Sequence, residues 1–154
     1  MIRRININDL ETYLDFVNRI FVEDLDLSLK DYSTKETAIS LLTDPKQVIV
    51  VKIEESKIVA LAKGYIKDHS AFLTAAVLKE QRGSGIAMVI TDYLLDILRQ
   101  EGVIIARSYV YSDNPSSMKV MEKMGFELSG KVFMHHFNKD KDQVDDLIFH
   151  KLLK

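Results

Sequence analysis

The residues best suited to chemistry lie at 77–87. Val77 and Leu78 end an apolar run, Arg82 precedes Gly83, Ser84 and Gly85, and Ile86 and Ala87 open an amphipathic segment. A glycine-rich turn at a helix start leaves successive backbone N–H groups without intrahelical partners, where the helix dipole favours negative charge. Phosphate is the usual guest of such a site. The two glycines let the backbone approach an anion with no side chain in the way, and Arg82 adds a fixed positive charge beside it. Three familiar motifs fail here. A G-x-G-x-x-G/A dinucleotide fingerprint beginning at Gly83 needs Gly or Ala at Met88, and no G-K-[ST] is present for a P-loop. A G-x-S-x-G nucleophile elbow around Ser84 needs glycine where Arg82 stands, so Ser84 reads as a loop residue.

The elements that position this loop follow from periodicity. Ile86, Val89, Ile90, Tyr93, Leu94, Ile97 and Leu98 recur at helical spacing and predict a helix that stops at Gly102. Ahead of it, β-branched runs at 47–53, 58–66 and 71–78, separated by turn chemistry at 54–57 and 67–70, predict three antiparallel strands. After it, a strand at 103–111 leads to Asn114 and Pro115, an N-cap followed by proline at the first helical position. That short helix should close at Met124, Gly125 and Phe126, with strands at 127–137 and 144–153 beyond. At the other end, a short strand precedes a helix carrying Leu10, Leu14, Val17 and Phe21, with Asn8 and Glu11 spaced as a capping box. A second short helix is expected over 34–42, before Asp44 and Pro45. Between the two helices, residues 23–32 mix acids with leucines and read as a substrate-facing loop or a plain connection.

Composition narrows the classes. The chain has 154 residues, 47% apolar and 29% charged, which predicts one globular domain over 1–154 burying about 70% of its unfolded surface. With no cysteine, a disulfide scaffold, thiolate zinc sites, iron–sulfur clusters and a cysteine nucleophile are excluded. The balance of 21 Lys+Arg against 23 Asp+Glu gives no global basic field for nucleic acid or an anionic membrane. No run approaches the length of a membrane-spanning helix, and polar Asn6 and Asn8 follow the N-terminal charges where a signal peptide would be apolar. The expectation is a soluble cytoplasmic protein. His135 and His136 read as strand positions, since no metal-ligand spacing surrounds them.

Arg82, Gly85 and Ala87 satisfy the pattern [R/Q]-x-x-G-x-[G/A], with Val77 five residues ahead. Here the chain resembles the GNAT superfamily of acetyl-CoA-dependent N-acetyltransferases. The resemblance extends from 58–65, similar to the family's third strand, through 110–114, similar to its fifth strand ending in Asn, to 118–126, similar to its final helix with closing Gly-Phe. It implies an α/β fold, a mixed, mostly antiparallel seven-stranded sheet flanked by about four helices. By the same resemblance, the amides of Arg82, Gly83, Ser84, Gly85, Ile86 and Ala87 hold the pyrophosphate of coenzyme A. The pantetheine arm runs beside 75–78, where the fourth and fifth strands splay, and an N–H near Val77 or Leu78 polarises the thioester. Asn114, Ser117 and Lys119 lie along the other side.

The acceptor amine is then expected to attack directly, without an acyl-cysteine. An alkylamine of pKa near 10 is only about 0.1% neutral at pH 7, a handicap of about 4 kcal/mol, so a base or water relay is expected. No carboxylate occurs over 70–78. The candidates are Asp68 or His69 in the preceding turn, the acids over 23–31, and Tyr109 or Tyr111 on the fifth strand. Met121 stands where many members of the family carry a tyrosine that protonates the departing thiolate, and methionine has no proton to give. The leading reading is acetyl transfer from acetyl-CoA to a small amine, an aminoacyl group or a protein amine, by a monomer or a homodimer. The alternatives are a non-catalytic acyl-CoA sensor with the same fold, and an interaction module that binds no cofactor.

Overall fold

Valine and isoleucine stiffen the chain into strands β2 (Gln47–Glu54) and β3 (Lys57–Lys67), and the turn between them places Glu55 and Ser56 at φ of 49° and 65°. Two successive left-handed residues match the twist of a tight hairpin. The computed structural model describes residues 1–23, 33–137 and 140–154, so the acids at 24, 26 and 31 lie outside the described residues. The other elements are β1 (Ile2–Arg4), α1 (Leu10–Glu23), α2 (Lys35–Thr43), β4 (Ser70–Val77), α3 (Ile86–Gln100), β5 (Ile105–Tyr111), α4 (Pro115–Lys123), β6 (Glu127–Phe137) and β7 (Gln143–Leu152). These are the strands and helices the periodicity predicts.

The sheet has seven strands in the order β1-β2-β3-β4-β5-β7-β6. Every pairing is antiparallel except β4 with β5, and that parallel pair needs the crossover that α3 supplies. Pairing of β4 with β5 covers only Ser70–Leu73 against Ile105–Ser108. Beyond it, β4 runs on to Val77 and β5 to Tyr111 without pairing to each other, which leaves an opening in the sheet.

Strand alternation feeds two cores. On one face, Val50, Ala62, Leu73, Val110 and Phe149 pack with Ile90, Leu94 and Leu98 of α3 and Met121 of α4. At Gly64 an added Cβ would lie 3.1 Å from Leu98 Cδ1, so glycine sets how closely α3 sits on β3. On the other face, Tyr13, Phe16, Val17 and Ile20 of α1 and Leu41 of α2 cover Ile49, Val51, Leu61 and Leu78.

The N-terminal cap differs from the expected Asn8/Glu11 box. A single 3-10 turn, Ile7–Asp9, precedes α1 and Asn6 caps it: its side chain accepts from Asn8 N at 2.8 Å while Asp9 Oδ2 accepts from Asn6 N at 2.9 Å. The box sits two residues early because Asp9 also receives Arg3 Nη1 and Nη2 at 2.8 and 2.7 Å, which ties β1 to the helix start. Thr34 caps α2 and Asn114 caps α4. Among the described residues no helix is long and apolar enough to cross a membrane.

Candidate functional site

After a 3-10 turn at Lys79–Gln81, Arg82 is extended and the chain turns through Gly83 and Gly85 at φ of 82° and 79°. An added Cβ at either glycine would meet nothing within 4 Å, so the requirement is the left-handed backbone and not a lack of room. Ser84 Oγ donates to Gln81 O at 2.8 Å, and Arg82 Nε donates to Val77 O at 3.0 Å. The serine hydroxyl therefore braces the loop, and the arginine is folded across its base. An ion pair between Arg19 and Glu80 joins α1 to the same turn. Unlike the 3-10 turn at Ile7 and helices α2 and α4, α3 begins with no side-chain cap, and its first turn holds no acid. The α-helical ladder starts with Val89 N donating to Gly85 O at 3.2 Å, so the amides before it are presented outward.

Beside this loop lies the opening. Leu78 N donates to Val59 O at 3.0 Å, which makes 59 and 78 a hydrogen-bonded pair of the β3–β4 ladder. By alternation, the amides of Ala75 and Val77 point away from β3, toward the gap that β5 has left. Of the two amides suggested by sequence, Leu78's is spent in the sheet and Val77's faces the gap. Across the gap, Asn114 Oδ1 accepts from Ser117 N at 3.2 Å as a helix cap, with Ser117 half-buried and Lys119 exposed on α4. Met121 is 9% exposed and sits in the core with Val110, not in the gap.

One face of the sheet here is not the α3 face. On β5 it carries Arg107, Tyr109 and Tyr111, which alternate with the core residues Ala106 and Val110. Tyr109 packs edge-on against Phe72 of β4, with ring centroids 5.8 Å apart. Next to Tyr111 in register on β7 stands Asp146, which is 4% exposed, and His135 Nε2 lies 3.7 Å from its Oδ2. A register shift between Val132 and His136 bends β6 at this point, and Met134 N donates to Asp145 Oδ1 at 2.7 Å. Sequence reasoning missed Asp146. Its only signal is the alternation within β7, which has no meaning until β7 is seen to pair with β5.

Two expected candidates fall elsewhere. Asp68 and His69 occupy the turn at the far end of β4, and Ser70 alone is seven residues, about 23 Å of strand, from Val77. They cannot reach a thioester held at Val77. Lys63, opposite Thr74, is buried on the same face as Leu61, and its burial pushes the ammonium below the ordinary lysine range. Among the described residues no group of His, Asp or Glu could hold a metal ion.

The model of the Acetyltransferase (GNAT) family matches residues 11–126, three quarters of the chain. The chain belongs to the GNAT acetyltransferase family. Solved structures agree on the fold. Ribosomal-protein-alanine N-acetyltransferase from Brucella melitensis superposes with a TM-score of 0.86 at 22% identity, covering 99% of each chain. The Salmonella typhimurium yncA structure, with its cofactor acetyl-CoA, gives 0.84 at 14% identity over 100% of this chain and 94% of that one. A spermidine N-acetyltransferase chimera from Vibrio cholerae and hSSAT gives 0.81 at 17% identity, covering 99% and 96%. No curated protein sequence matches. The acceptors these names print, a protein alanine and a polyamine, are chemically unlike, so GNAT membership fixes the fold and the acetyl-transfer class but not the acceptor.

Proposed function

We propose that this GNAT protein is an N-acetyltransferase that takes acetyl-CoA as acyl donor and a primary amine as acceptor. The observation that carries the reading is the uncapped start of α3, with Arg82 and two left-handed glycines, set beside a gap between β4 and β5. These residues fit a pyrophosphate: outward amides, a positive helix end and no carboxylate in the first turn to repel it. When bound, the donor supplies an activated thioester carbon.

The chain's own residues do the rest. The amides from Gly83 to Ala87 and the Arg82 side chain hold the phosphates, while Asn114, Ser117 and Lys119 flank the donor from α4. The Val77 N–H donates to the thioester carbonyl oxygen, where negative charge develops. His135, backed by the buried Asp146, accepts the ammonium proton of the acceptor through a water. Tyr111, half-buried between that pair and the gap, donates to the departing thiolate, the role Met121 cannot fill.

Thermal unfolding with and without acetyl-CoA tests the donor. Stabilisation should grow as RT ln(1 + [L]/Kd), and no shift at millimolar ligand would sink the proposal. Thiol release with a panel of amines then separates an enzyme from the second reading, an acyl-CoA sensor. The core position of Met121 favours that second reading, which expects binding without release.

A further inference from the structure

We propose that the acceptor face carries an anion site, formed by Arg107 and Lys67, that selects amines bearing a carboxylate or phosphate about 13 Å or more from the reacting nitrogen. The selectivity rests on the acetyl-transfer reading; the anion site does not.

A cleft of about 440 Å³ opens where the ends of β3, β4 and β5 meet, and Lys67, Asp68, His69, Phe72 and Arg107 line it. Register explains the convergence. Phe72 of β4 stands opposite Arg107 of β5, and Lys67 of β3 opposite Ser70 of β4. Arg107 is half-buried, held between β4 and β7. A guanidinium partly withdrawn from water is stabilised by a bidentate anionic partner. Among the described residues, no carboxylate lies within ion-pair distance of Arg107 or Lys67. Asp68 lines the rim, exposed and turned at φ 56°. On the β7 side, the neighbour of Arg107 is His150, whose Nε2 approaches Glu127 at 3.8 Å. The cleft thus presents two cations, one rim carboxylate and an aromatic wall to a ligand.

Its position gives the ligand's length. Arg107 lies four residues below Tyr111 on the same face of β5, about 13 Å at strand rise, and the cleft extends from it away from Tyr111. The upper end of the face holds the buried Asp146 beside His135, and the lower end holds Lys67 and Arg107 with one rim carboxylate, Asp68. That polarity suits an acceptor with its amine at the gap and its anion in the cleft. An extended peptide covers about 13 Å in four residues, so a short peptide with an acid at its fourth position has the right span.

The test begins without acetyl-CoA. Labelled protein is titrated with inorganic phosphate and, separately, with succinate, following the Arg107 Nε–H and the Phe72 amide by NMR. Saturable shifts with either anion, lost in Arg107→Glu, are expected, and the stronger response identifies phosphate or carboxylate as the source. Next, kcat/KM is compared for two tetrapeptide amides that differ by Glu or Gln at the fourth residue, with a phosphoserine counterpart as the phosphate arm. The wild type should prefer an anionic peptide by about tenfold or more, and Arg107→Glu should reverse the preference while keeping its affinity for acetyl-CoA. No saturable shift with either anion overturns the site. Equal rates for all three peptides, zero included, overturn its role in acceptor choice. Failure of the wild type to bind acetyl-CoA removes the transfer reading alone, and the anion titration still decides the site.

Discussion

Asp9 shows how one side chain can serve two elements. It accepts two bonds from Arg3 and one from Asn6 N, and the Arg3 bond is the main cause that holds its carboxyl below the ordinary aspartate range against the opposing cost of burial. Because the folded pKa is the lower one, this stabilisation is present above the unfolded value of about 3.9 and drains away as pH falls through the folded value. Asp9→Ala should therefore cost about 2 kcal/mol at pH 7 by denaturant unfolding, with the gap to wild type closing in acid. The His135 and Asp146 pair makes a kinetic prediction of a different kind. His135→Ala should lower kcat/KM by about 100-fold near pH 7, and the deficit should shrink as pH approaches the amine's own pKa, where solution supplies neutral acceptor. Asp146→Asn should alter the same profile without changing the KM for acetyl-CoA; a wild-type profile in both variants would mean that the pair only pins the β6 bend. Neither pair is visible in the chain as a string. The loop from Arg82 to Ala87 was legible because its chemistry is local, whereas Asp146 reaches Tyr111 only across a strand pairing 35 residues apart in sequence.

Some helix ends are closed by the protein itself, while the start of α3 is left without a side-chain cap. At the end of α4, Phe126 N donates to Met121 O and Gly125 N to Glu122 O, at 2.9 and 3.0 Å, with Gly125 at φ 81°. This pattern caps the helix and was readable from Gly-Phe alone. Gly125→Ala should cost about 1 kcal/mol through backbone strain, measurable by thermal unfolding, with no direct effect on donor binding. At α3 the same glycine conformation serves the opposite end, and the expected outcome is reversed. Gly85→Asp puts a carboxylate where the outward amides await a phosphate, so affinity for acetyl-CoA should fall below detection by calorimetry while the fold persists. Unchanged affinity would place the donor elsewhere. The Asn8/Glu11 misreading has a related cause: spacing identifies a box, but Asn6 and Asp9 win because Asp9 also satisfies an arginine on β1.

At the scale of the molecule, the sheet is two antiparallel halves joined by four parallel residue pairs and the α3 crossover. The family resemblance implied a mixed, mostly antiparallel sheet, but element order alone does not say which pair is parallel, since β1 and β2, also separated by helices, pair antiparallel. Where the β4–β5 pairing stops depends on how β5 diverges, which no local pattern encodes. The amides of Ala75 and Val77 consequently face a gap instead of a neighbouring strand. Their hydrogen exchange should be fast in the free protein, in contrast to Leu61, Ala62 and Ala76, which are buried within the paired half. A donor arm lying in the gap would accept from these amides and complete the ladder between the halves. Acetyl-CoA should therefore slow exchange at Ala75 and Val77 and along 109–111 by more than it slows the rest of the sheet, and should raise global stability according to mass action. Coenzyme A lacking the acetyl group should protect Ala75 equally but Val77 less, because only the thioester brings a carbonyl oxygen to that amide. Protection confined to the α3 start, with 75–77 unchanged, would mean that the phosphates bind while the reactive arm lies outside the gap, and the placement of the thioester at Val77 would have to be abandoned.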